Sequence, residues 1–319
     1  MHVFHLFTFP VYTATFAVLY KEPSKAFRTY KYYIFVHLSI NFITEICVCY
    51  FMLPDIILPF PLMRMTGWFG KWGLSGLIQF YMLAQLITWT GLSIIEMFYY
   101  RFKICILHYQ THMFSKIVGT QIYLYRAFMI AHPALVAWFF SFSIVEEEDY
   151  KIEFWAKHPT SPPELTCYST MLTVPHSHVL WIMFSLYIFQ TSICCSVTLE
   201  TIIYITNYIK KSIVMSKTTA RLQKMLLFSL FIQTAIHGLL IIAPIFLAFY
   251  AFFFDMPHDG AAYFAIILFA YHGFASTCGM IIFTKPLRDK ILPCFKYMGL
   301  GRTAPISTVQ ASIVVETQN

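Results

Sequence analysis

From Lys217 the chain reads KTTARLQK and then, from Met225 to Phe254, MLLFSLFIQTAIHGLLIIAPIFLAFYAFFF, without a single Asp, Glu, Lys or Arg in the second stretch. About 20 mostly apolar residues are enough for a helix to cross the ~30 Å hydrocarbon core of a bilayer. A run this long predicts a membrane span. The basic residues ahead of it (Lys217, Arg221 and Lys224) predict that its first end stays in the cytosol, because positive charge resists translocation.

Working outward, six further runs qualify. They lie at about Val3–Tyr20, Tyr32–Leu58, Gly73–Tyr99, Gln121–Val145, Val179–Tyr204 and Ala261–Phe283, which makes Met225–Phe254 the sixth of seven. No Lys or Arg precedes the first run and no small-residue cleavage site follows it, so it reads as a span and not as a signal peptide. The bulk composition agrees: 58% of the 319 residues are hydrophobic, 12% are charged, and the mean hydropathy is +0.64. Ordinary soluble chains carry about 25% charged residues.

The fold class expected is therefore an all-α bundle of seven transmembrane helices over residues 1–283. A juxtamembrane amphipathic helix is expected over 284–302, and a disordered cytosolic tail over 303–319. Of the 22 Lys and Arg, 18 fall in the segments between spans 1–2, 3–4 and 5–6 and in the tail. That asymmetry places the N-terminus outside and the C-terminus in the cytosol. The basic clusters sit beside apolar spans, so the net charge of +7 points to lipid and not to nucleic acid.

The opposite face is acidic: Glu146, Glu147, Glu148, Asp149, Glu153 and Glu164 are expected in the loop between spans 4 and 5. The plainer reading is a solvated loop that helps set topology, and the sharper one is a weak attractor for cations. The eight Cys show neither metal-ligand spacing nor a small-domain disulfide framework. The 12 His are scattered without the pairing that haem bundles need, so no metal or cofactor is expected. Phosphate-loop, Gly-x-Ser-x-Gly and His-Glu-x-x-His motifs are absent, so nothing supports soluble catalysis.

Ionisable groups inside a bilayer are costly and usually face the bundle interior. Glu45 lies near the middle of span 2, and Glu96 and Glu200 lie toward the cytosolic ends of spans 3 and 5. Glu45 reads either as a switch that binds a cation or proton, or as a protonated acid hydrogen-bonded to a neighbouring helix. Glu96 and Glu200 read either as partners of Arg101, Lys210 or Lys211, or as acids that snorkel to the interface. Gln79, Gln85, Thr88, Trp89, Gln190, Gln233, His237 and His272 are the remaining deep polar groups. Interhelical hydrogen bonds make most of these glue. A ligand pocket, if it opens outward, would draw on Gln79, Gln85, Trp89, Gln233, His237 and His272, with an otherwise apolar lining.

Four stretches carry a resemblance. Span 2 reads Ile34-Phe-Val-His37-Leu-Ser-Ile-Asn41-Phe-Ile-Thr-Glu45, and the loop between spans 4 and 5 reads Lys157-His-Pro159-Thr-Ser-Pro162-Pro163-Glu164. Ser216-Lys217-Thr218 through Leu222-Gln223-Lys224 leads to Ile232-Gln233, and His272-Gly273-Phe-Ala-Ser276-Thr277 leads to Lys285-Pro286-Leu-Arg288. These resemble the nematode serpentine chemoreceptors of the Str superfamily, class H or class I, which are seven-transmembrane G-protein-coupled receptors. Departures are visible. Glu96 and Arg101 are separated by Met-Phe-Tyr-Tyr where the family often has Glu-Asn-Arg, and His237 stands where the family's span 6 proline is usual. No Cys stands at the outer end of span 3 to pair with Cys167.

The resemblance implies a chemosensory receptor that detects a small odorant-like or pheromone-like ligand and activates a heterotrimeric G protein. It also implies a place in the plasma membrane, including the ciliary membrane of sensory neurons. On that reading Lys210, Lys211, Lys217, Arg221 and Lys224 contact the G protein, although anchoring to anionic lipid explains their number equally well. Cys294 near the end of the juxtamembrane helix is a candidate for palmitoylation. The rival readings are a ligand-gated channel, which the inferred orientation opposes, and a transporter, which should show a repeat between its halves.

Overall fold

The computed structural model describes residues 5–21, 28–57, 60, 62–106, 113–173, 178–211, 217–244, 247, 250 and 259–291. Helices occupy all seven expected places. Span 1 is His5–Lys21, and span 2 is Arg28–Ile46 continued by a π-helical turn at Cys47–Met52. Span 3 is Gly76–Ile106, span 4 is Met113–Lys157 and span 5 is His178–Lys211. Span 6 is Lys217–His237 with a second π-helical turn at Gly238–Ile242. Span 7 is Asp259–Ala270 plus His272–Phe283, bent by 45° at Tyr271. Among the described residues, five helices are long and apolar enough to cross a membrane, or six when the bent pair is counted as one span. Span 1 has 17 described helical residues.

Most helices outrun the apolar segments that predict them. Span 3 continues from Tyr99 to Ile106, and span 6 begins eight residues before Met225, because helix-forming basic turns extend past the apolar core. The largest difference is span 4. Its 45 residues amount to roughly 67 Å at 1.5 Å per residue, about twice a bilayer core. Glu146, Glu147, Glu148, Asp149 and Glu153, expected in a loop, are therefore helical. Span 2 differs in the other sense. Its helix stops at Met52 instead of Leu58 because Pro54 has no N–H to donate and disfavours helical geometry at the residue before it. Leu53 takes a left-handed conformation, φ 45°, and the chain turns into a strand.

That strand belongs to a small sheet the sequence does not announce. Pro54–Ile57 (β1) and Leu62–Met65 (β2) form an antiparallel hairpin with Pro54 opposite Met65. Thr170–Leu172 (β3), from the segment after span 4, pairs with β2 so that Leu62 faces Leu172. Two segments far apart in sequence thus form one roof over one end of the bundle. Leu62, Phe154, Leu165 and Leu172 make its own small core. The extended span 4 clamps this roof from the side. The Glu147 carboxylate accepts the Leu172 N–H at 2.9 Å and pairs with Lys151 at 2.9 Å, and the Lys151 ammonium donates to the Thr170 carbonyl at 2.5 Å. Cys167 in this segment is a free thiol among the described residues.

Charge-assisted hydrogen bonds of this kind contribute about 1.5–3 kcal/mol each. Glu147→Ala is expected to speed amide exchange at Leu172 by roughly ten- to a hundredfold while leaving exchange in span 2 unchanged, as read by hydrogen–deuterium exchange of the protein in nanodiscs.

At the opposite end, Lys210, Arg221 and Lys224 are exposed, and Lys285–Ile291 forms a short helix after span 7. The main apolar core gathers residues of spans 1 to 7 in this basic half, including Ile34, Ile95, Phe98, Tyr125, Val197, Leu230 and Met280. Cys294 and the tail from 292 onward lie outside the described residues.

Candidate functional site

The polar residues that matter converge where the two π-helical turns begin. His37, Asn41 and Glu45 come from span 2 at four-residue intervals, so they share one face. His37, Asn41, Ser93 of span 3, Gln233 and His237 of span 6 and His272 of span 7 are all buried, none more than 5% exposed. Spans 2, 3, 6 and 7 therefore meet through polar side chains in an apolar setting, where unpaired polar groups are expensive.

The hydrogen-bond directions in this cluster can be worked out. The Ser93 hydroxyl donates to the Thr90 carbonyl at 2.7 Å, so its oxygen accepts from His37 Nδ1–H at 2.7 Å. His37 Nε2 then carries a lone pair and accepts from the Asn41 amide at 3.1 Å. His237 Nδ1–H must donate to the Gln233 carbonyl at 2.8 Å. A neutral His237 then presents its Nε2 lone pair to Asn41 Oδ1, an acceptor, at 3.4 Å.

Two rearrangements remove this clash of acceptors. One is a second proton on His237. The other turns the Asn41 amide round, so that Nδ2 donates to His237 and Oδ1 accepts from a His37 whose Nδ1 now accepts from Ser93. The cluster thus has two hydrogen-bond directions, and choosing between them changes partners on spans 2, 3 and 6 together.

The relay continues in both directions. The His237 ring lies 5.2 Å from His37 and 5.3 Å from His272, whose Nδ1–H donates to the Phe269 carbonyl at 2.6 Å beside the bend of span 7. Gln233 donates to the Ser229 carbonyl and hydroxyl at 3.2 Å, and Ser229 shares a 2.9 Å hydrogen bond with Thr284 at the basic end of span 7. Glu45 is 2% exposed, with the Thr8 and Tyr12 hydroxyls of span 1 facing it. Asn41→Leu is expected to lower the midpoint of thermal unfolding by the equivalent of about 1–2 kcal/mol, since interhelical hydrogen bonds in membranes are worth ~0.6–1.7 kcal/mol each. Asn41→His, which keeps a donor and an acceptor, is expected to lose less.

Of the other expected pocket residues, Gln79 and Gln85 are tied into the bundle by hydrogen bonds. Gln79 is buried and donates to the Leu74 carbonyl at 2.8 Å, which makes it a brace at the start of span 3. Gln85 accepts from His132 of span 4. Gln190 of span 5 donates to the Tyr125 hydroxyl at 3.0 Å. Trp89 is 42% exposed on the outside of the bundle. His37, Asn41 and Ser93 are the site residues that a reading by span position passes over. Two of them stand in the span 2 motif quoted above, and their four-residue spacing is the signal that marks them.

The charged pairs also differ from expectation. Glu96 pairs with Arg126 of span 4, not with Arg101: Arg126 donates to both carboxylate oxygens at 2.6 and 2.7 Å. Arg101 is 6% exposed and lies 3.6 Å from the centre of the Tyr30 ring, a cation–π contact between spans 3 and 2. Its Nε and one terminal nitrogen are buried without a hydrogen-bond partner among the described residues. Glu200 accepts from Ser196 at 2.9 Å and Gln121 at 3.4 Å instead of pairing with Lys210. Lys211 and Lys217 stand in helices, but their side chains lie outside the described atoms. No group of three metal-ligating side chains is present among the described residues.

A helical bundle with apolar spans, a roofed end and a basic end is the architecture of a multi-pass membrane protein. The family described as serpentine type 7TM GPCR chemoreceptor Srh matches residues 1–297, and the chain belongs to that family. Of the two classes left open by the sequence motifs, this is class H. No curated protein and no solved structure matches the chain.

Proposed function

We propose that the protein is a chemosensory receptor of the plasma membrane that converts binding of a small ligand into activation of a heterotrimeric G protein. The single observation that supports this most is the family match across residues 1–297, which spans every helix described above. The roofed end faces outward and the basic end faces the cytosol, a reading that the distribution of Lys and Arg supports. Ligand binding favours one of two helix arrangements, and a ligand shifts that equilibrium only by its differential affinity for the two.

The polar relay from Ser93 through His37, Asn41 and His237 is the element with two settings. Span 6 carries any change to Arg221 and Lys224, which with Lys210, Lys211 and Lys217 form the G-protein contact. Arg101, held over Tyr30 with donors to spare, is the group that span movement would free at that same end.

The test is ligand-screened calcium or cAMP signalling in cells expressing the tagged receptor, with and without a promiscuous G-protein α subunit. A response that requires the α subunit supports the reading. An ion current that persists without any G protein overturns it in favour of a channel.

A further inference from the structure

A groove of about 300 Å³ runs along the outside of the bundle between spans 2 and 3, and it shares Trp89 with the pocket the sequence suggested but none of that pocket's Gln or His residues. Its walls are helical stretches of similar length. Span 2 supplies Tyr32 to Ile40 and span 3 supplies Trp89 to Glu96, so the groove is roughly 10–12 Å long. It opens sideways: Tyr32, Val36 and Trp89 are 66%, 52% and 42% exposed on helices that face lipid. Its polarity is graded. Ile40 and Trp89 form the end nearer the bundle middle. Tyr33 and Glu96 form the end nearer the basic face, where Glu96 is already neutralised by Arg126. Ser93 is on the groove wall, and its hydroxyl oxygen is the acceptor for His37 at the start of the polar relay.

Resting on the chemoreceptor reading, we propose that this groove is the ligand site. Its occupant is an uncharged lipophile with one elongated apolar tail and a single hydroxyl at one end, taken up from the bilayer. Three features select that chemistry. The walls are apolar over nearly their whole length, which favours a hydrocarbon tail. The Glu96–Arg126 pair satisfies its own charge, so an ionised head would have to break it, whereas a neutral hydroxyl donates to a free lone pair of Glu96 or Ser93. The opposite end of the bundle is roofed by the three-stranded sheet and its clamp, while the groove is open to the membrane side. A hydroxyl that donates to Ser93 shares the oxygen that accepts from His37, which couples occupancy to the direction of the Asn41 amide and so to span 6.

The experiment is photolabelling of the full-length receptor in nanodiscs with a clickable diazirine analogue of a long-chain primary alcohol, followed by peptide mapping. The expected labels fall on residues 32–40 and 89–96, and Val36→Trp, which fills the groove from its lipid side, lowers them about tenfold. Ile43→Trp, on the lipid face of the same helix but outside the groove, leaves them unchanged. The carboxylic acid of the same chain length labels these segments at least several-fold less. Labels spread over all lipid-facing helices, equal labelling by a phosphatidylcholine with the same diazirine, or labelling insensitive to Val36→Trp would each overturn the proposal. Signalling assays on the same variants separate the two claims. Groove-specific labelling in a receptor that never engages a G protein keeps the site and discards the chemoreceptor reading. A G-protein response indifferent to Val36→Trp keeps the receptor and discards the site.

Discussion

Gly76→Ala is expected to leave most of the receptor misfolded and inside the cell. A Cβ at this position would lie 2.6 Å from the Ser169 carbonyl oxygen, 2.7 Å from the Met171 nitrogen and 2.8 Å from the Thr170 carbonyl carbon. All three are backbone atoms, and none is free to yield. Gly76 itself donates to the Tyr168 carbonyl at 3.0 Å, and Ser169 accepts from Met65 at 3.0 Å. The start of span 3 is thus pressed directly against the strand that completes the roof. Overpacking typically costs about 1–3 kcal/mol. With backbone on every side, the upper end applies, a shift of roughly a hundredfold in the folded population. Surface expression and thermal unfolding of the tagged receptor measure it. Gly119→Ala, whose added Cβ would meet nothing within 4 Å, is the matched control and is expected to be neutral or stabilising. An unchanged unfolding midpoint for Gly76→Ala would contradict the packing described here.

Glu96→Gln is expected to raise signalling in the absence of ligand and to lower thermal stability, and Arg126→Met is expected to do the same. The two residues tie span 3 to span 4 through a bidentate pair, with side chains 18% and 37% exposed. Removing one member strands the other charge at the edge of a low-dielectric region. For a fully buried pair that costs about 3–5 kcal/mol, and the partial exposure of Arg126 brings the expected value to about 2 kcal/mol. Replacing both with Glu96→Gln and Arg126→Met together is expected to recover most of the stability, because no charge is then left unpaired. A double-mutant cycle on the unfolding midpoint measures the coupling. Strictly additive losses would show that the pair does not act as a unit.

The helical part of this architecture was legible in the sequence because lipid imposes a strong rule: backbone groups in hydrocarbon must pair internally, so long apolar runs become helices. Boundaries were less legible. The charged stretch from Glu146 to Glu153 looks like a loop by composition, yet nothing in it breaks a helix, and the helix of span 4 continues to Lys157. The roof was not legible because its strands are three or four residues long and pair across more than 100 positions of sequence, Leu62 with Leu172. The bend at Tyr271 and the π-helical turns leave no local signature either, since Gly238 and the residues after it read as ordinary span.

Within the site, the sequence exposed the residue types but not their partners. Glu96 and Arg101 stand close in sequence, but on a helix five residues apart they diverge. Arg126 reaches Glu96 from the next helix, and Arg101 turns to Tyr30. Gln79 and Gln85 looked like pocket anchors because they are polar in an apolar span, and packing turned them into braces. Asn41 and His37 sat in plain view in the span 2 motif, and only the approach of spans 3 and 6 gives them work.

On the proposed function, span 6 moves away from span 3 at the basic end when a G protein is engaged, and the Asn41 relay sets how readily it does so. The most direct measurement is the distance between probes placed by noncanonical amino acids at positions 103 and 224, both exposed at that end, in receptor reconstituted with and without a nucleotide-free G-protein heterotrimer. The expected result is a longer distance with the G protein, together with a changed fraction of the long-distance population in Asn41→Leu. One distance distribution, the same with and without the G protein and in both sequences, would contradict the account.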